Sequence, residues 1–482
     1  MRGLPICVSA LILSGCTLGP DYERPVLDTP ATYRHADSEA RDTANTMWWT
    51  QFGDPELERL IAIALAENKD VLIAAARVEE FYGRYGAQRG QQFPQAGVEA
   101  QGGRERLSRI GTPPIPDSQS NYTDFYSIDL GVSFEIDLWG RLRRATEAAR
   151  AELLAVEENR RTVLLTLVAT VASSYINLLS LDRQLQVSQD TVRARSGSVE
   201  IFSLRFEGGT VSEMELQQIR SEYESARAAI PAFEKLIAQQ ENNLSTLLGR
   251  NPGPIKRGGT LTALKLPQVP AGLPSELLER RPDLRAAEQQ LIAANARIGV
   301  AKAAFFPSIT LTGILGFVSD DLSELFSSDA RTWAYGGVLS QPLFTGGTLL
   351  GRLTVSEAQQ KQALYAYQQS IQNAFAEVEN SLIDQTKTRE QLAAQRRQVD
   401  ALARYSELAW LRYDNGYTSY IEVLDAERSL FSAQLQLAQT ESQLHFAVIN
   451  LYKAMGGGWE NEADRLAEQP TVDLTRNPPI FP

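Results

Sequence analysis

A chain of 482 residues with a net charge of −12 offers no basic stripe to neutralise phosphates, which excludes nucleic acid as a partner. Its residues are 43% hydrophobic and 22% charged, an ordinary globular composition. The histidines are His35 and His445 and the cysteines Cys7 and Cys16, too few for a His–Cys metal centre or a Cys–His nucleophile pair, so no metal site and no enzymatic activity are expected.

Both cysteines lie in "MRGLPICVSALILSGC", which has a basic start at Arg2, an apolar run from about Leu4 to Leu13 and small residues before Cys16. This reads as a secretory signal over 1–15. The ending Leu13-Ser14-Gly15-Cys16 resembles the bacterial lipobox. That resemblance implies cleavage before Cys16, a covalent lipid on its thiol as the one non-protein group, and, with Thr17 following, sorting to the outer membrane. An anchored, extended segment is expected over 16–53. Beyond the signal no uninterrupted apolar run reaches about eighteen residues, so no membrane-spanning helix is expected.

The rest of the chain follows one plan twice. "GAQRGQQFPQAGVEA" (86–100) lies on "GVAKAAFFPSITLTG" (299–313), and "LRFEGGTVS" (204–212) on "LRYDNGYTS" (411–419). A repeat this long is a duplicated domain-sized unit, not a solenoid. The halves are placed at 54–250 and 274–457, with a linker at 251–273 and a C-terminal tail at 458–482.

In the first half, strands are expected at about 95–107 and 121–138, joined by the Pro-, Gly- and Ser-rich "SRIGTPPIPDSQS". A proline-free helix with apolar residues every three or four positions then runs from Arg141 to about Glu207, roughly 100 Å at 1.5 Å per residue. A return helix completes a hairpin over 141–248, and Pro231 should bend it. The second half repeats this with strands at about 308–318 and 332–344 and a hairpin over 349–455. Helices this long point to coiled-coil packing.

The strand "YSIDLGVSFEIDLWG" sets Ile128, Leu130, Val132, Phe134 and Ile136 on one face and Asp129, Glu135 and Asp137 on the other. No spare element covers the oily face, and in lipid only a closed barrel satisfies a strand's backbone. The first set should therefore meet lipid and the second a water-filled lumen. Four strands cannot close a barrel, so copies must share one: two copies would give eight strands, three would give twelve and room for a channel.

"GPDYERP", "WWTQFGDPEL", "LLERRPDLRAAEQQL" and "AKAAFFPSITLTG", in this order along the chain, resemble the outer membrane factor family of TolC/OprM-like, NodT-type efflux lipoproteins. The resemblance implies an α+β membrane protein: a homotrimer whose twelve-stranded β-barrel, four strands per chain, continues into a long α-helical coiled-coil periplasmic tunnel. It further implies an exit duct for drugs or toxic compounds. A periplasmic adaptor would join the duct to an inner-membrane transporter, with the resistance-nodulation-division type favoured. A type I secretion duct and a non-conducting, periplasm-spanning lipoprotein are the alternatives.

Two helix turns attract attention under this resemblance. Asn415-Gly416 can end one helix in a left-handed turn, with Thr418 or Ser419 capping the next. Glu422 and Asp425, three residues apart, share a face there. The resemblance implies acidic rings at a periplasmic aperture, with Tyr413 among the residues that close it. Thr418 stands where a family example has Arg, which leaves the closing bonds open. Gly208-Gly209 marks the other turn, and both turns are expected to dock the adaptor.

Overall fold

The computed structural model describes residues 17–26, 30, 32–34, 47–112, 114–267, 276–456, 460–467 and 469–479. The signal, Cys7, Cys16 and His35 lie outside the described residues.

The elements are α1 (Pro55–Glu67), α2 (Lys69–Gly90), β1 (Gln95–Arg106), β2 (Tyr122–Ile136), α3 (Arg141–Glu207), α4 (Glu213–Leu247), α5 (Leu277–Arg280), α6 (Pro282–Ala303), β3 (Ser308–Ser319), β4 (Arg331–Ser340), α7 (Thr348–Asp414), α8 (Tyr420–Met455) and α9 (Glu460–Leu466). The two halves match element by element: α2 and α6 have 22 residues each, α3 and α7 have 67 each, and α4 and α8 have 35 and 36. The long pair spans about 100 Å at 1.5 Å per residue. The four strands form one antiparallel sheet in the order β1-β2-β3-β4, leaving β1 and β4 as its edges.

The main core surrounds the middle of α3, where Leu164, Val168, Val171, Tyr175 and Ile176 pack with α1, α4 and α8. By length and composition one stretch of α3 would pass for a membrane span, its apolar residues being interspersed with uncharged Thr and Ser. Most of that stretch is buried inside the protein, so its apolarity belongs to the core. Pro231 lies within α4, which continues past it to Leu247 even though a proline donates no backbone hydrogen bond.

The N-terminal residues anchor this core. Asp54 caps α1 by accepting from Glu56 N at 2.8 Å and Leu57 N at 3.2 Å, while its second oxygen accepts from the Tyr175 hydroxyl at 2.9 Å. Trp48 stacks on Tyr452 with ring centres 5.5 Å apart. Nearby, His445 of α8 is 8% exposed, and burial pushes its pKa down to about 4. It therefore folds neutral, and the unfolded chain binds one more proton between pH 6.5 and about 4. Stability should fall through that window on acidification, by about 3 kcal/mol in all. Urea melts of His445→Gln should show a flatter profile over the same window.

Residues 17–24 form a strap along α6. The Leu18 amide donates to the Trp139 carbonyl at 3.1 Å, and Asn295 Nδ2 donates to the Pro20 carbonyl at 2.9 Å. Arg24 pairs with Glu279 and Glu288 at 2.5 and 2.8 Å. Gly19 (φ +101°) crosses Gly299 so closely that a Cβ on Gly299 would stand 2.5 Å from the Leu18 carbonyl oxygen. Gly299→Ala should lift the strap from α6, seen as faster protease cleavage ahead of Trp48 with the helical circular dichroism unchanged.

Candidate functional site

Pairing sorts the whole sheet into two faces. Val98, Leu130, Leu315 and Trp333 lie in one cross-strand row, and Ala100, Ile128, Phe317 and Arg331 in the next. Leu311, Phe134, Val132, Tyr335 and Leu339 share that face. The opposite face carries Glu99, Gln101, Ser127, Asp129, Ser133, Glu135, Thr310 and Thr312. Period-two alternation thus gives an apolar side and a chiefly polar one, on which Phe125, Ile314, Val318 and Val338 also stand. Leu130, Val132, Leu311, Leu315, Trp333 and Tyr335 are exposed in the single chain.

The acidic residues of β2 have distinct surroundings. Asp129 lies opposite Glu99, and only a glycine at 316 leaves room for its carboxylate, since a Cβ there would meet Asp129 Oδ1 at 2.2 Å. Glu135 is paired with Arg141 at 3.0 and 2.7 Å. Asp137 departs from expectation: β2 ends at Ile136, and the Asp137 carboxylate accepts from Leu142 N and Arg143 N at 3.1 and 2.9 Å. It satisfies the first turn of α3, where a negative charge is favoured. The two-residue period of the sequence continues beyond the point where the chain leaves the sheet. β4 likewise stops at Ser340, ahead of Pro342, which has no amide proton to donate.

At the far ends of the long helices both turns close alike. Thr210 N donates to Arg205 O at 2.8 Å and Gly209 N to Phe206 O at 2.9 Å; Tyr417 N donates to Arg412 O at 2.9 Å and Gly416 N to Tyr413 O at 2.9 Å. Gly209 and Gly416 take φ of +69° and +75°, the left-handed step that such a helix end requires. Gly208 and Asn415 are helix caps on the right-handed side of each turn.

The incoming helices differ. Ser212 and Glu215 form a reciprocal capping box on α4. Ser419 occupies the corresponding cap of α8 but makes no side-chain capping bond. Glu422, the counterpart of Glu215, lies 3.3 Å from Arg412 instead. Asp425 is exposed, with no ion pair among the described residues. Tyr413 stacks on Phe202 with ring centres 5.8 Å apart and meets Tyr420 edge-on at 5.6 Å. Arg205 reaches Asp414 at 3.6 Å, joining α3 to α7.

Just behind the turns lies a cluster that the sequence reading missed. Arg195 of α3, 2% exposed, lies between Glu222 of α4 at 3.2 Å and Glu427 of α8 at 3.8 Å. Arg428 pairs with Glu222 at 2.7 Å, and Trp410 Nε1 of α7 donates to Glu427 at 2.8 Å. Burial pushes the Glu427 carboxyl above the usual carboxylate range. The cluster joins all four long helices.

A sheet with one lipid-compatible face, two open edges and a helical extension of about 100 Å narrows the comparisons with known proteins. The family model for outer membrane efflux proteins matches residues 60–250 and again 273–457. This chain belongs to the outer membrane efflux protein family. It is 37% identical to the probable efflux pump outer membrane protein TtgC of Pseudomonas putida, over 98% of this chain and 99% of that one. It is also 37% identical to the cation efflux system protein CusC of Escherichia coli, over 95% and 98% respectively. The open-state crystal structure of the MtrE outer membrane channel of Neisseria gonorrhoeae superposes with a TM-score of 0.82, at 32% identity, over 95% of this chain and 100% of that one. As an outer membrane efflux protein the chain resides in the outer membrane, with its helices extending into the periplasm. The match of one family model to both halves agrees with the element-by-element repeat.

Proposed function

We propose that three copies of the chain close a twelve-stranded barrel in the outer membrane. The barrel would continue as a helical tunnel that receives drugs or other toxic compounds from an inner-membrane pump through a periplasmic adaptor. The carrying observation is the four-stranded sheet, whose faces are sorted apolar from polar and whose edges β1 and β4 are unpaired. An open edge facing lipid is untenable, and pairing β4 of one copy with β1 of the next removes both edges. Helix α7 agrees with this reading, since it leaves Leu350, Val355, Tyr365 and Leu408 exposed for neighbouring copies to cover. Twelve strands leave room for a channel, where eight would be filled by side chains.

The polar sheet face, with Asp129 and Glu135, is then the lumen wall, and Ile128, Leu130, Val132, Phe134 and Ile136 face lipid. β4, Arg331–Ser340, rises by nine steps of about 3.3 Å, which at a tilt of about 40° gives roughly 23 Å of height, close to the apolar band that barrels present. Lipid on Cys16 suits the strap, because Thr17 lies against Gly140 where the sheet hands over to α3, at the periplasmic surface of the outer membrane. The halves would derive from a tandem duplication.

At the tip, Asp425 is the stronger candidate for an acidic aperture ring, Glu422 being offset by Arg412. Met214 and Tyr417, exposed beside the two turns, would dock the adaptor, and a pump of the resistance-nodulation-division type would supply the energy. A photo-crosslinking residue at Met214 or Tyr417 should capture the adaptor in cells, with the pump co-purifying. Capture of nothing but other copies of the chain would defeat the duct reading.

A further inference from the structure

The apolar face of the sheet ends in cations. β1 and β2 meet through the 107–121 connection and β3 and β4 through 320–330, both at the end away from the long helices. Arg104, Arg106 and Arg331 stand there on the same face as Ile128 and Leu130. Arg104 and Arg106 lie over the Tyr122 ring at 5.3 and 5.8 Å. Against these three arginines the face carries one carboxylate, Asp124, 3.6 Å from Arg104. Arg331 makes no ion pair among the described residues, the loop acids Asp320, Asp321, Glu324 and Asp329 included. Below Arg331 a cleft of about 420 Å³ is lined by Ile128, Leu130, Leu315, Phe317 and Phe326. Phe326 comes from the β3–β4 loop and meets Phe317 edge-on at 5.7 Å.

We propose that this rim is a binding site for a phosphorylated acyl lipid of the outer leaflet, its acyl chain in the cleft and its phosphate on the arginines. An arginine on a lipid-facing surface is costly unless it reaches an anion at the interface, and its planar fork matches phosphate geometry. An apolar cleft directly beneath the cation selects an amphipathic ligand over a free ion, because only an acyl chain gains from leaving water there. Closing the barrel sets β4 of one copy beside β1 of the next, so Arg331 would stand beside the neighbour's Arg104 and Arg106. The site is then completed at each seam. Trp333 and Tyr335, stacked with ring centres 5.7 Å apart, lie next below Arg331 on β4, at the level where aromatic girdles meet head groups. This inference rests on the trimeric barrel.

The test titrates the purified full-length protein in detergent with bis-phosphorylated hexa-acyl lipid A, with its dephosphorylated form and with inorganic phosphate, counting bound lipid by native mass spectrometry. The phosphorylated lipid should bind the trimer at least about tenfold more tightly than the dephosphorylated one. Arg331→Gln should weaken it about fivefold, and R104Q/R106Q by more, each near the worth of one cation at a membrane surface. Trimer mass and conductance should stay unchanged in these variants. Equal binding of the two lipids, or no loss in an intact variant trimer, would overturn the site. Displacement of the lipid by equimolar inorganic phosphate would make it a plain anion site and also overturn it. If Arg331→Gln does not assemble, R104Q/R106Q carries the test from the other side of the seam. A wild type without any trimer would instead defeat the barrel reading.

Discussion

Arg195→Ala should cost about 3–5 kcal/mol at the periplasmic end of the helices, the usual penalty for stripping one partner from a buried ion cluster. Glu222 would keep Arg428 at 2.7 Å, but Glu427 would be left with the Trp410 indole as its one hydrogen-bond donor and with no cation within 4 Å among the described residues. The loss therefore falls on the attachment of α8 to α3, and hydrogen exchange should quicken around Phe202 and Tyr420, whose rings lie 4.8 Å apart. Arg195→Lys would keep the charge without the fork and should recover only part of the loss. R195A/E427Q removes the orphaned charge and should recover most of it. The pH dependence has a definite sign. Burial raises the Glu427 pKa in the folded tip, so the folded state holds its proton above the ordinary carboxylate range. That contribution is complete below the unfolded pKa near 4.5 and is lost as pH rises through the folded value. The R195A tip should accordingly be firmer at pH 5 than at pH 8, and protection relative to intrinsic exchange that is independent of both the variant and pH would contradict this account.

The second large effect lies at the start of α6. Arg281, 8% exposed, forms a fork with Asp283 at 2.9 and 2.6 Å. It also donates to Glu377 of α7 at 2.7 Å and to the Ala454 carbonyl of α8 at 3.1 Å. Its stem packs under Gly456, where a Cβ would come within 2.5 Å of Arg281 Cγ. One side chain thus ties the start of α6 to two long helices. Arg281→Ala should lower global stability by about 1–3 kcal/mol in urea melts, because the Ala454 carbonyl loses its donor inside the protein, while Asp283 and Glu377, 36% and 55% exposed, can turn to water. Arg281→Lys can satisfy one of these partners at a time and should fall between. A loss below about 1 kcal/mol for Arg281→Ala would mean that solvent replaces the lost bonds.

Where one element's own residues decide its structure, the sequence was legible. The alternation of β2 marked its faces, and Glu-Gly-Gly and Asn-Gly marked both helix turns, since the left-handed step there favours glycine. The Asp137 misreading shows the limit of local pattern: alternation persists for two residues after the backbone has turned to cap α3. Glu422 was recognisable as an acid on a helix face, but its pairing with Arg412 depends on how α7 and α8 meet across the turn. Arg195 and Glu427 were invisible for the same reason at longer range. Each sits among polar residues on a helix that reads as solvated, and burial comes from helices meeting in space: α4 against Arg195, and α3 against α8 more than 200 residues away in the chain.

Single-channel recording of the purified protein in planar bilayers tests the central claim most directly. Trimers should give discrete conductance steps with a preference for cations, and E422Q/D425N should weaken that preference while the steps persist. A folded trimer that conducts nothing, even with both acids neutralised, would contradict the duct.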